Sequence, residues 1–217
     1  TSFFNVVKAL YGISRGRVKY VALPSRYTEI SDRDLSDAWE ATVPTDTGRG
    51  AHVILSQAAD SWWGIAAGIP GVANTPGTSQ SGVILASLPG ADAEAEGYVL
   101  AHELGHFMGL SHTTEFDDGG FDPLDDTPQC PGLDWDTVRQ CPDITNTMAA
   151  VGATSSPVVA SPLQQKVIQG SPIYRAFLQG TPPTAGQARV KPVNWKQLFG
   201  HPGTELSAGE RYLAMHS

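Results

Sequence analysis

Residues 102–112 read His-Glu-Leu-Gly-His-Phe-Met-Gly-Leu-Ser-His. Two histidines four apart on a helix are about 400° round from one another, so both rings project from one face, one turn apart. That spacing lets two imidazole nitrogens reach a single zinc ion at about 2.0–2.1 Å. Glu103 sits about 100° round from His102 on the same turn. It is poorly placed to ligate the metal and well placed beside a water on it. Gly109 follows His106 by three residues, and a residue without Cβ can turn the chain sharply at positive φ. Such a turn returns His112 as a third ligand. Three histidines leave the fourth position open for water, which marks a catalytic rather than a structural zinc. A lone His-Glu-x-x-His arises by chance in about one chain in a hundred, and the added Gly and His lower that by roughly a further thousandfold.

The pattern His102-Glu-x-x-His106-x-x-Gly109-x-x-His112 resembles the long zinc-binding signature of the metzincin metallopeptidases. Those proteins carry a methionine in a tight turn beneath the metal. Met148, in Asn146-Thr-Met148, is the first methionine after the signature. Within the metzincins the chain is most similar to the pappalysins. The residues that carry this are His112-Thr113, Asp126-Thr-Pro128, the Cys130 and Cys141 pair, Cys141-Pro-Asp143 and Asn146-x-Met148. The chain departs from that family at Ala150, where pappalysins usually have a tyrosine able to assist the metal or the oxyanion.

The resemblance implies an α+β fold of the metzincin-like zincin kind. A mixed twisted sheet and the active-site helix would form an upper subdomain to about residue 109, and an irregular lower subdomain would follow, ending in a helix. Residues 1–180 would be the catalytic domain, leaving 181–217 as a C-terminal extension in which no motif is visible. The implied activity is that of a zinc-dependent endopeptidase, with a metal-activated water and Glu103 as general base. The substrate would lie extended against Gly82–Ser87 as an added strand. The segment after Met148 would wall the pocket for the residue following the scissile bond. Ala149–Ala160 holds no charged side chain, so apolar residues of medium size are expected there. Two other readings stand beside this one: a catalytically silent zinc-binding recognition module, and a zinc amidase acting on cell-wall peptides. Glu103 argues against the first, and the eleven-residue signature is rare in the second.

The elements that must hold these residues are partly legible. Phe3, Phe4, Val6, Val7, Leu10 and Ile13 suggest an amphipathic helix over 1–13. Arg17–Leu23 reads as a strand. Ser31–Ala41 reads as a helix with Ser31 as its N-cap. His52–Leu55, Trp62–Ala67 and Gly82–Ser87 read as further strands, with a Gly/Pro/Asn/Thr/Ser loop over 68–81. The pattern from Ala93 to Met108 is helical and stops at Gly109. Residues 113–147 read as a long loop. Ser161-Pro-Leu-Gln164 is a capping box that opens a helix ending at Gly170, and Ser171-Pro172 repeats the start signal.

The chain has 217 residues, is 41% hydrophobic and carries a net charge of −8. That suits one domain with a sizeable core and argues against a nucleic-acid-binding surface. Nine acids and one base lie between Glu115 and Asp143, so the whole imbalance sits in that stretch. Acids packed so densely are either solvated or ligate a hard cation; a calcium site would draw on Asp122, Asp125, Asp126 and Thr127. Cys130 and Cys141, eleven positions apart in the same stretch, can close as a disulfide, the alternative being free thiols in a cytosolic chain. No apolar run reaches the roughly 20 residues of a membrane span. Thr1–Lys8 shows no basic leader or small-residue cleavage site, so the chain reads as already processed or cut from a longer precursor. The expected protein is a monomer, secreted or otherwise extracytoplasmic, acting on proteins or peptides. Trp62 and Trp63 read as core or rim residues that could touch substrate, and His52, His201 and His216 lack metal-ligand spacing.

Overall fold

The computed structural model describes residues 2–16, 18–43, 51–60, 62–71, 82–87, 89–116, 119–151 and 157–174. The 181–217 extension, His201, His216 and most of the 68–81 loop lie outside them. Among the described residues four helices, α1 (Ser2–Tyr11), α2 (Leu35–Glu40), α3 (Ala93–Met108) and α4 (Pro162–Gly170), accompany five short strands. These are β1 (Glu29–Ile30), β2 (His52–Ser56), β3 (Ala58–Ala59), β4 (Gly64–Ala66) and β5 (Gly82–Ala86). The architecture is therefore a mixture of helices and small sheets. β1 and β3 make a parallel pair, and the other sheet has the order β2-β5-β4. β2 runs parallel to β5 and β4 antiparallel to it, so that sheet is mixed.

β5 is buried at all its positions, and its alternating side chains feed two cores, as the period of a strand requires. Val83 and Leu85 join α1, α3 and α4 in the larger cluster, with Tyr11, Leu100, Phe107, Met148 and Ile168. Ile84 and Ala86 join Tyr27, Leu35, Trp39, Ile54 and Trp62 in the second. α1 buries Val7, Leu10 and Tyr11, the i, i+3, i+4 stripe of an amphipathic helix. Burying each such side chain contributes about 1.5–3 kcal/mol. α3 differs: every residue from Val99 to Met108 is buried, so it is covered all round, as a helix at the centre of a domain must be. Beyond Gly109 the described residues form isolated bridges, Thr114 with Phe121 and Asn146 with Val159, in place of strands. A 3-10 turn at Val138–Gln140 and helix α4 complete this half. Among the described residues no helix is long and apolar enough to cross a membrane.

Three sequence expectations need correction. Residues 18–23 form no strand; Tyr20 is 78% and Val21 44% exposed, so no sheet face receives the alternation. α2 begins at Leu35, not after Ser31. The Ser31 hydroxyl and N–H instead donate to the Asp34 carboxylate at 2.6 and 3.2 Å, closing a turn before the helix. Lastly, β5 is the middle strand, so both its edges are taken and Gly82–Ser87 cannot accept a further strand. The sheet edge that meets Glu103 belongs to β4.

Candidate metal centre

α3 opens with Asp92, whose carboxylate accepts from Glu94 N–H at 3.0 Å and Ala95 N–H at 2.9 Å. Such a cap is worth about 1 kcal/mol and fixes where the helix starts. It closes at Gly109, φ +114°, a conformation that costs a side-chain-bearing residue strain. Gly109 N–H donates to the His106 carbonyl and Leu110 N–H to that of Gly105, both at 2.9 Å, the Schellman pattern. The turn carries Leu110–His112 back over the last helical turn. The Leu110 carbonyl then meets His106 Nδ1 at 2.8 Å, so the reversal of the chain also orients the second histidine.

His102, His106 and His112 converge. Their Nε2 atoms stand 3.1 Å (His106–His102), 3.1 Å (His106–His112) and 3.3 Å (His112–His102) apart. Each Nδ1 faces an acceptor: the Thr147 carbonyl at 2.7 Å for His102, the Leu110 carbonyl at 2.8 Å for His106, Glu115 Oε2 at 2.9 Å for His112. Carbonyl and carboxylate oxygens carry no hydrogen to give, so each Nδ1 holds the proton and each Nε2 presents a bare lone pair. Three bare lone pairs at such distances repel unless a cation lies among them. For metal–nitrogen bonds of about 2.0–2.1 Å, tetrahedral geometry separates the ligand atoms by roughly 3.3 Å, which these separations match. Burial, with the field of His112, pushes His102 down to about 3 and His106 well below the usual imidazole range. Both rings are thus held neutral, the form that ligates a metal. The residues fit a zinc ion.

Glu103 is buried one turn-step away, and burial pushes it up to about 8. A cation on the three histidines favours its ionised form again. Its side chain lies against β4. A Cβ added at Gly64 would stand 2.5 Å from Glu103 Cγ and 2.8 Å from Oε1. Only glycine leaves room there for the carboxylate. Gly64→Ala is therefore expected to displace Glu103 and, on the general-base role proposed below, to lower kcat on the order of tenfold to a hundredfold, since misplacing a reacting group by ~1 Å costs about that much. Zinc content should stay at the wild-type level. Kinetics beside metal analysis checks this, and an unchanged kcat would show that Gly64 does not seat Glu103.

Met148 is fully buried in a turn closed by Ala149 N–H on the Asn146 carbonyl at 3.1 Å. Its sulfur lies against Gly105 on α3 and is 3.6 Å from the Tyr11 hydroxyl, which donates to the Ala101 carbonyl at 2.9 Å. The turn is held from both sides. Asn146 and Gln164 exchange two amide hydrogen bonds, at 3.1 and 2.9 Å, and Gln164 also completes the capping box of α4 with Ser161. On the other side, Thr113 N–H donates to the Met148 carbonyl at 2.9 Å. The Thr113 hydroxyl donates to Asp143 at 2.7 Å.

Cys130 and Cys141 are joined as a disulfide. The calcium reading of residues 115–143 finds no support. Among the described residues the only groups of three or more His, Cys, Asp or Glu side chains that come together are the three histidines and Cys130, Cys141 and Asp143, and the disulfide leaves the latter no thiolate. The acids serve as local acceptors instead. Asp122 accepts from Thr127 Oγ1 at 2.6 Å and Leu124 N–H at 3.2 Å. Asp126 accepts from Ser161 Oγ at 2.7 Å and Leu163 N–H at 2.8 Å, tying the loop to the start of α4. Asp125 is exposed. The tryptophan pair divides: Trp62 is buried and donates to Asp32 at 2.9 Å, while Trp63 is half exposed. His52 Nδ1 lies 2.8 Å from the Thr42 hydroxyl and is not one of the converging histidines.

Residues 68–156 match the Peptidase_M43 family model, described as pregnancy-associated plasma protein-A. The match spans the histidines, the disulfide loop and Met148, and supports a metallopeptidase of the metzincin type. Within that class it supports the pappalysin family, as the resemblance in the sequence implied. Comparison with curated proteins finds no match.

Proposed function

We propose that the chain is a zinc-dependent endopeptidase that hydrolyses peptide bonds in proteins, with His102, His106 and His112 as ligands and Glu103 as general base. The observation that carries this is the trio of bare Nε2 atoms at ligand spacing with a buried carboxylate beside it. Zinc bound there would supply a positive charge that eases deprotonation of water towards about neutral pH and polarises a carbonyl. Glu103 would take the proton of the attacking water on a carboxylate oxygen and pass it to the leaving amine nitrogen. Ala150 leaves no tyrosine to share the oxyanion, so that load would fall on the metal site itself.

The substrate would lie along β4. This strand pairs with β5 alone among the described residues, and it is the strand that Glu103 touches. An extended peptide added there would bond main chain to main chain beside the exposed Trp63. Residues 1–180 would act as one catalytic domain, with the sheets and α3 as its upper part and the irregular run after Gly109 as its lower part. The disulfide favours an extracytoplasmic location.

The test is digestion of a proteome-derived peptide library, read by mass spectrometry. Cuts are expected to be internal, to stop with a zinc chelator, and to fall mainly before Leu, Val or Phe. The specificity follows from the uncharged Ala149–Ala160 segment, since a cationic side chain buried against it would lack a partner. A clear majority of cuts before Arg or Lys would contradict the apolar pocket. Cleavage of cell-wall peptides but no internal cuts in proteins would favour the amidase reading.

A further inference from the structure

The three ligand rings are not held alike. His102 and His106 sit on the central helix, 8% and 1% exposed, and their Nδ1–H groups end on main-chain carbonyls. Packing and backbone fix both. His112 stands on a non-helical segment after the turn and is less buried than either helix histidine. Its ring is held by a side chain, Glu115, three residues on, at 2.9 Å. Glu115 is itself anchored. Its N–H donates to the Gly120 carbonyl at 3.0 Å, and the neighbouring Thr114 pairs with Phe121. The Thr114 hydroxyl accepts from Cys130 N–H at 3.0 Å, which ties this turn to the disulfide. A chain of contacts thus runs from the disulfide through Thr114 and Glu115 to the third histidine.

We infer that Glu115 is the positioning residue for His112: it holds Nδ1 as the proton-bearing nitrogen, aims Nε2 at the metal and places a carboxylate behind the ring. This rests on the zinc reading of the trio. Carboxylates behind ligating histidines commonly set ring orientation and donor strength. Glu115 does so here because neither helix nor full burial restrains His112. The residue touches neither substrate nor metal, so its loss should show first in metal affinity.

Competition with a chromophoric chelator, on metal-free protein refilled with zinc, tests it. Glu115→Ala should lower zinc affinity about 10–100-fold, and Glu115→Gln, which keeps an acceptor oxygen, should recover part of that loss. Glu115→Asp keeps the charge but falls short of the ring, so it should resemble Glu115→Ala; it also carries the test if the alanine variant fails to fold. The visible spectrum of the cobalt-substituted protein should shift in the alanine and aspartate variants, while metal-free melting temperatures stay near wild type. A wild type that takes up no zinc would overturn the reading of the trio itself. A wild type that binds zinc, beside Ala and Asp variants that bind it equally well, would overturn the role of Glu115 alone.

Discussion

Glu103→Ala is expected to bind zinc as the wild type does and to lose at least about a hundredfold in peptide hydrolysis, the lower range for losing a general base. The two effects separate because Glu103 is not among the converging nitrogens: the lone pairs facing one another belong to His102, His106 and His112. Removing the carboxylate leaves those three and their Nδ1 partners in place. The fold should hold, since a carboxylate driven up to about 8 by burial is a group whose ionised form the interior disfavours. Its deletion opens space beside Gly64. Metal analysis and initial rates on one purified sample measure both quantities. Near wild-type cleavage at full zinc occupancy would remove Glu103 from the mechanism.

His112→Ala should lose metal and activity together, and by more than any of the outer partners. Two nitrogens from one helix turn remain, both buried and neutral, but the third corner of the triangle is gone. The loss of affinity should exceed the ~10–100-fold that removing an orienting partner costs, so the Glu115 variants supply an internal scale. Dialysis against a weak chelator followed by zinc analysis reads it. Unchanged zinc content would mean that the metal uses two histidines and some other group.

The contrast between what was legible and what was not has a physical basis. α3 and α4 could be bounded from sequence because their stop and start signals are local: a glycine at φ +114° ends one, and a serine with a proline and a glutamine opens the other. The three histidines were legible because helix periodicity and one turn fix their geometry within eleven residues. The role of β5 was not. Its apolar run shows that it is buried, but which strand flanks it is a non-local matter, and the sheet order places it in the middle. The proposed substrate pairing thereby moves to β4, three residues long and outlined only weakly by its pattern. Arg17–Leu23 has a strand-like composition, but residues 18–23 pair with no strand among the described residues. Tyr11 reads as one more apolar position of α1, and nothing in the chain says that its hydroxyl reaches Met148. Gly64 carries no signal at all, since its requirement is set by Glu103, thirty-nine positions away. Glu115 could have been found from its i+3 spacing to His112, but it begins a run of nine acids and is hidden among them. Those acids read equally as a solvated loop or a cation site, because composition records charge without recording which hydroxyls and N–H groups stand beside it.

The most direct test of the account is a zinc titration of the metal-free protein, with hydrolysis of an unfolded protein substrate read at each step. Hydrolysis should be absent at the start, rise in proportion to added zinc, and level off at one zinc per chain. A rate indifferent to zinc, or one zinc bound per chain with no new amino termini released, would contradict it.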